Sequence, residues 1–178
     1  EKYNLEASFR RDGSSRFHPD NRWGNFFSIG TRWNMKREAF LEDVDWVNTL
    51  SLRASFGEVG NNMGIGLYAY QALYGITTNG GDAALLKTQL AAKDIKWETT
   101  QNLDIAVETR LFDRVNLSVG YFDKRSKDLL FDVKLPLSAG SNPWGDYMNM
   151  TQLKNIGTIS NRGLEIAADV DIIKTNDW

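Results

Sequence analysis

Several residues carry groups that could do chemistry. Five carboxylates recur at even spacing in the second half of the chain, Asp104 with Glu108 and then Glu165, Asp169 and Asp171. Even spacing along a strand puts side chains on one face, and paired carboxylates can hydrolyse glycosides. A second set is compact: Asp12, Ser14, Ser15, His18 and Asp20 contain every member of a Ser-His-Asp arrangement. The stretch "DGSSRF" within it could also cradle a phosphate, provided a strand precedes it and a helix N-terminus follows. His18 is the only histidine and there is no cysteine, so a zinc ion would have to rely on carboxylates beside it. A third set is aromatic. Tyr68, Tyr70, Tyr74, Trp144 and Tyr147 offer flat rings for sugar faces or peptide groups, with hydroxyl and indole N–H groups for directional bonds.

The elements that must position these groups are strands. Period-2 alternation dominates: Tyr3, Leu5, Ala7 and Phe9 fall on one face, with Asn4, Glu6, Ser8 and Arg10 on the other. Phe27, Ile29, Thr31 and Trp33 oppose Phe26, Ser28, Gly30, Arg32 and Asn34, and Leu50, Leu52, Ala54 and Phe56 oppose Ser51, Arg53 and Ser55. Leu103, Ile105, Val107 and Leu111 alternate with Asn102, Asp104, Glu108 and Arg110. Val115, Leu117, Val119 and Tyr121 alternate with Asn116, Ser118 and Gly120, and Leu164, Ile166, Ala168, Val170 and Ile172 with Glu165, Asp169 and Asp171. The count is roughly six strands. "LFDRVN" is a very short connection and "MKREAFLEDVDWVN" a moderate one with room for a helical turn carrying Phe40, Leu41 and Val44. The connections at the opposite end are long, and the middle one holds "DAALLKTQLAAKDIKW", whose helix-forming residues predict a short helix after a Gly80-Gly81 turn.

Composition narrows the function. Lys and Arg total 21 against 23 Asp and Glu, a net charge of -2 in 178 residues, which offers no broad polycationic surface for nucleic acid. The missing cysteines exclude disulfides, thiolate metal sites and cysteine nucleophiles. No run of about 18 apolar residues can form a membrane helix. The chain lacks an initiator Met, and both ends read as cuts through a longer protein.

A soluble β-sandwich also alternates. Three features favour a membrane barrel. Arg32, Arg53, Asp104, Glu108, Arg110, Glu165 and Asp169 sit in mid-strand on polar faces, where a wet lumen would hydrate them. An apolar band ~25 Å tall, crossed at ~40°, needs roughly ten residues per strand. Aromatics gather near strand ends, at the level where headgroups lie.

Ordered blocks then point to a family. "RRDGSSRF", "NRWGNFFSIGTRWNM" and "EAFLEDVDWVNTLSLRASFGEVGNN" are followed by "DIKWETTQNLDIAVE", "VNLSVGYFDKRSKDLLF" and "NIGTISNRGLEI". From about Arg10 to Ile166 these resemble the barrel region of SusC/RagA TonB-dependent transporters. Phe27 stands where the family usually has Pro, Ser51 where Lys is common and Ala106 where Gly is typical. The resemblance implies an all-β, antiparallel transmembrane β-barrel of about 22 strands, with short periplasmic turns and long extracellular loops. Residues 1–178 would supply part of that barrel domain, with the plug and its TonB-contacting segment outside the chain. It further implies outer-membrane import of oligosaccharides or oligopeptides with a SusD-like surface lipoprotein. No catalytic residue, metal or cofactor is expected.

Against that frame the candidate sites sort themselves. "DGSSRF" precedes a strand rather than a helix, so it reads as a rim turn, with Phe17 and Trp23 packing its two arms. The seven mid-strand charges are expected to face the lumen, Arg32, Arg53 and Arg110 balancing the acids. Tyr68, Tyr70, Tyr74, Trp144 and Tyr147 are expected to meet substrate in extracellular loops, unless they pack the loops or the lid protein. The rival readings are a soluble β-sandwich binding module and an outer-membrane hydrolase.

Overall fold

The computed structural model describes residues 1–136, 138 and 150–172. Its strands, in chain order, are β1 (Tyr3–Gly13), β2 (Trp23–Asn34), β3 (Val47–Asn61), β4 (Leu73–Asn79), β5 (Asp82–Gln89), β6 (Glu98–Leu111), β7 (Val115–Lys127), β8 (Leu130–Lys134), β9 (Thr151–Asn155) and β10 (Thr158–Val170). The six long ones pair antiparallel in the order β1-β2-β3-β6-β7-β10. The hairpins β4-β5 and β8-β9 are inserted between members of that sheet. Each long strand is thus the spatial neighbour of the next, as a meander requires.

The register follows from the alternation. Leu5 stands opposite Thr31, Thr31 opposite Ala54, Ala54 opposite Ile105, Ile105 opposite Tyr121, and Tyr121 opposite Leu164. A one-residue slip anywhere would carry a whole strand's apolar set to the charged face.

Residues 35–46 and 112–114 connect strands at one end of the sheet. The first holds the expected helical turn, α1 (Ala39–Glu42), although Phe40 on it stays exposed. Lys36 Nζ donates to the carbonyls of Leu41, Glu42 and Val44 at 2.8, 3.2 and 2.9 Å, closing the turn that α1 leaves open. The second carries Phe112 and Asp113 at φ 53° and 54°. A side chain there costs ~1–2 kcal/mol. The two connections hold each other: Phe112 N–H donates to Trp46 O at 2.8 Å, and the Trp46 and Phe112 rings stack at 5.8 Å.

The other end carries three connections, residues 14–22, 62–97 and 128–157, of which the last two are long and hold the hairpins. Here one expectation fails, because Asp82–Gln89 is strand β5 and not a helix. Gly80 and Gly81, at φ 62° and 97°, make a two-residue turn that matches strand twist and pairs Asn79 with Asp82. Cross-strand pairing then overrides the helical propensity of Ala83, Ala84, Leu85 and Leu86. The main buried cluster lies at this end. Phe17, Ile65, Ala92 and Ile95 pack with Ala69, Trp97, Leu130 and Leu153, joining residues from all three connections. Burying Phe17, Ile65 and Ile95 stabilises the assembly by ~1.5–3 kcal/mol each.

Candidate functional site

One face of the six-stranded sheet carries the charges. Arg32, Arg53, Asp104, Glu108, Arg110, Glu165 and Asp169 all share it by register. Glu108 is the hub: Arg32 Nη2 lies 2.5 Å from Oε2, and Arg53 Nη1 lies 3.6 Å from Oε1. Arg32 also donates to Ser51 Oγ at 3.4 Å. Arg110 lies 3.2 Å from Asp113 and 3.7 Å from Asp171. Both Glu108 oxygens thus face guanidinium groups, which fits a charge-balanced wall better than a carboxylate turned toward a glycoside. Among the described residues no three His, Asp or Glu side chains gather as a metal set.

The opposite face is apolar and uncovered. Leu5, Leu164, Ile166 and Phe9 are 75, 73, 72 and 70% exposed. A soluble domain would bury a patch this continuous. Its two mid-band hydroxyls satisfy themselves: Thr31 Oγ1 donates to Asn4 O at 3.2 Å and Thr109 Oγ1 to Thr49 O at 2.9 Å.

The apolar band is slanted. Toward the long-loop end it stops at Phe9 and its partner Phe27 on β1 and β2. On β3 and β6 it stops at Phe56 and Leu103, one register row lower, and on β7 and β10 at Tyr121 and Leu164, one row lower again. The lower edge descends likewise, from Trp33 on β2 to Leu50 on β3 and to Leu111, Val115 and Val170 on the last three strands. Two rows are ~14 Å along the strands and five strand spacings ~24 Å across them, so the band is inclined by about 30° to the hydrogen-bond direction. Four outward residues per strand, five on β6, give a band that on five of the six strands covers ~27 Å of strand, or about 24 Å of height at that tilt.

Aromatics mark both borders. Phe27 and Phe56 meet at 5.8 Å near the upper edge. At the lower edge Tyr3 stacks on Trp33 at 6.3 Å, and both aim polar tips at Glu38 in the connection below. Tyr3 Oη donates to Glu38 Oε1 at 2.5 Å, Trp33 Nε1 donates to the same oxygen at 3.1 Å, and Lys2 Nζ reaches Oε2 at 3.3 Å. These donors, the Tyr3 hydroxyl first, hold the Glu38 carboxyl below its ordinary value. Nothing in the local sequence of Glu38 signals this role, because its partners come from two strands.

The rim turn is locked by structural bonds. Ser14 is buried; its N–H donates to Arg22 O at 3.1 Å and its Oγ accepts from Asn62 Nδ2 at 3.0 Å. Arg16 Nη1 donates to Ile65 O. The packing differs from expectation: Phe17 meets Trp97 at 5.3 Å, whereas Trp23 covers Gly13 and lies under the Arg11 guanidinium at 5.0 Å. His18 pairs with Asp20 at 3.2 Å and with the Tyr70 ring at 5.9 Å.

The expected substrate aromatics do not form one cluster. Tyr68 is exposed in the loop before β4, Tyr70 leans on His18, and Tyr74 sits on β4 with Lys87 Nζ 5.8 Å from its ring. Among the described residues none of these three rings pairs with another. Trp144 and Tyr147 lie outside the described residues. The sequence reading missed Asn155, which accepts from Lys96 N–H at 2.8 Å and donates to Lys96 O and Asp128 O at 2.9 and 2.6 Å. With Gln152, which donates to Ala91 O at 2.7 Å, it ties the third long connection to the second.

Comparison with known proteins adds an independent line. The family model for the TonB-dependent receptor-like β-barrel matches residues 1–178. TonB-dependent receptor P39 of Formosa agariphila is 37% identical over 169 residues, covering 93% of this chain and 15% of the relative. TonB-dependent receptor SusC of Bacteroides thetaiotaomicron is 32% identical over 186 residues, covering 99% and 18%. Among solved structures, the RagAB peptide importer in its open-open state superposes with a TM-score of 0.83 at 26% identity, over 100% of this chain and 19% of that one. Its closed-closed state gives 0.82 at 25%, over 99% and 19%. The chain thus spans less than a fifth of the length of these proteins.

Proposed function

The chain belongs to the TonB-dependent receptor-like β-barrel family of the outer membrane, and from that premise we propose that it forms about six strands of the wall of a nutrient importer. The observation that carries this reading is the slanted apolar band. Barrel strands tilt by ~35–45° and present a band ~25 Å tall. An incline near 30° and a height near 24 Å come close to both. A sandwich, by contrast, needs a second sheet over Leu5, Ile105 and Ile166, and no described residue supplies one.

In this orientation the apolar face meets lipid. The connections at 35–46 and 112–114 are periplasmic, and the three at the other end are extracellular. Arg32, Arg53, Asp104, Glu108, Arg110, Glu165 and Asp169 then line a hydrated lumen. Their pairing around Glu108 supports a passive wall, with transport driven by a plug and TonB through parts of the protein outside this chain. The cargo is an oligosaccharide or an oligopeptide. Likeness to an importer whose solved structure is described as a peptide importer supports the second, and likeness to SusC leaves the first in play. Tyr68, Tyr70 and Tyr74 are the described candidates for contact with it, joined by Trp144 and Tyr147.

The partner would be a SusD-like surface lipoprotein seated over the long connections. Purification of the tagged full-length protein from outer membranes in mild detergent, with co-purifying proteins identified by mass spectrometry, tests this pairing. Stoichiometric recovery of a surface lipoprotein is the expected result. Recovery of the transporter from membranes with no such partner would overturn the pairing, and recovery from the soluble fraction would overturn the membrane reading itself.

A further inference from the structure

The apolar face changes character abruptly at its upper edge on β7 and β10. Val115, Leu117, Val119 and Tyr121 are followed on that face by Asp123, Arg125 and Lys127. Val170, Ala168, Ile166 and Leu164 are followed by Arg162, Ser160 and Thr158. Arg162 stands opposite Asp123, Ser160 opposite Arg125 and Thr158 opposite Lys127. Arg162 and Lys127 therefore flank Arg125 at a diagonal and a same-strand position, two register rows or ~14 Å apart, so a ligand shared by both long side chains would lie between them over Arg125 and Ser160. On the other side β6 sets Gln101 opposite Arg125 and Thr99 opposite Lys127.

The charges in this patch do not balance. Asp123 is its one carboxylate; it is buried beneath Arg125, whose Nε and Nη2 donate to its two oxygens at 3.0 and 2.5 Å. The side chains of Arg162 and Lys127 make no hydrogen bond or salt bridge to any described residue, the Arg162 charge acting on Asp123 only across the strand pair. Gln101, which faces Arg125 from β6, is itself turned to Glu58, donating to Oε1 at 3.1 Å. Two cations are thus left over, Arg162 one row and Lys127 three rows above the last apolar side chains, with the Ser160 hydroxyl in the row between them and those of Thr158 and Thr99 beside Lys127.

We propose that this patch binds the phosphate headgroup of a membrane lipid, with Arg162 and Lys127 as the charged ligands and Ser160 and Thr158 as neutral donors. A phosphate accepts several donors at once, from a planar guanidinium fork and from a point-charge ammonium alike. The patch begins one row above the apolar edge, where headgroups lie, and extends outward from it, and its apolar margin, Tyr121 and Leu164, suits the acyl chains of the same molecule. The cargo path is on the opposite face of the sheet, so a substrate in transit does not reach it. The inference rests on the reading of the apolar face as lipid-facing.

The test uses the full-length transporter in phosphatidylcholine nanodiscs doped with phosphatidic acid, and native mass spectrometry counts the lipids retained on release. Wild type is expected to retain phosphatidic acid in preference to phosphatidylcholine. Arg162→Gln with Lys127→Gln is expected to lower that preference by about tenfold or more, while Arg162→Lys with Lys127→Arg keeps it. An unchanged preference in the glutamine variant, with its heat-resistant barrel intact, would overturn the site. So would full displacement of the lipid by inorganic phosphate, which would mark a soluble-anion site. Retention of both lipids without preference defeats the site but not the membrane face; a wild type that holds no lipid at all defeats both.

Discussion

If the apolar band is tilted against the hydrogen-bond rows, residues paired side by side must lie at different depths. Ile29 on β2, Phe56 on β3 and Leu103 on β6 share one row. Ile29 sits half a row from the middle of its own run, Trp33 to Phe27, or about 3 Å from mid-membrane. Leu103 lies two rows above Val107, the middle of the run on β6, which is ~14 Å along the strand and about 12 Å in depth. Arginine at a lipid-facing midplane position costs ~2–4 kcal/mol and near the interface ~0–1. Ile29→Arg and Val107→Arg should therefore each cost ~2–4 kcal/mol, and Leu103→Arg no more than ~1. The assay is the urea midpoint of the full-length protein in lipid vesicles, compared at unchanged slope. Equal costs at Ile29 and Leu103, with Val107 no worse than either, would refute the tilt.

Further outcomes follow from local contacts. Glu38 is held below its ordinary value of 4.5, so its bonds stabilise the folded state above that pH, and the gain disappears as pH falls through the lower folded value. Wild type should have a higher thermal midpoint than Glu38→Gln at neutral pH, and the two should converge on acidification. A Cβ on Gly60 would run into the Phe26 ring, so Gly60→Ala should cost ~1–3 kcal/mol in the same urea assay. That cost should shrink when Phe26→Ala is added, because the obstructing ring is gone. Asn155→Ala removes two bonds between two long connections and a third within one of them, so limited proteolysis there should accelerate while the barrel itself stays heat-resistant.

The strands and their faces were legible because period 2 is a local signal: Leu103, Ile105 and Val107 need no neighbour to declare a face. The seven charges came out on one face for the same reason. Their pairing was not legible, since the choice of Glu108 by both Arg32 and Arg53 depends on register across three strands. The β4-β5 hairpin was misread as a helix because Ala83, Ala84, Leu85 and Leu86 favour helix locally, and Gly80-Gly81 decides the matter only once a partner strand exists. Proximity in sequence also misled at the tyrosines. Tyr70 and Tyr74 are four residues apart, yet one packs on His18 and the other rides a separate hairpin. The tilt of the band could not have been seen at all without the register.

The assignment of the two faces is the claim on which the rest depends. Nitroxide labels placed one at a time from residue 103 to 109 on β6 of the full-length protein in bilayers would measure it, through relative accessibility to oxygen and to a water-soluble nickel chelate. Oxygen contact should peak at 103, 105, 107 and 109 and nickel contact at 104, 106 and 108, with the deepest oxygen maximum at 107. The reverse phase, or high nickel contact on both sets, would contradict the account.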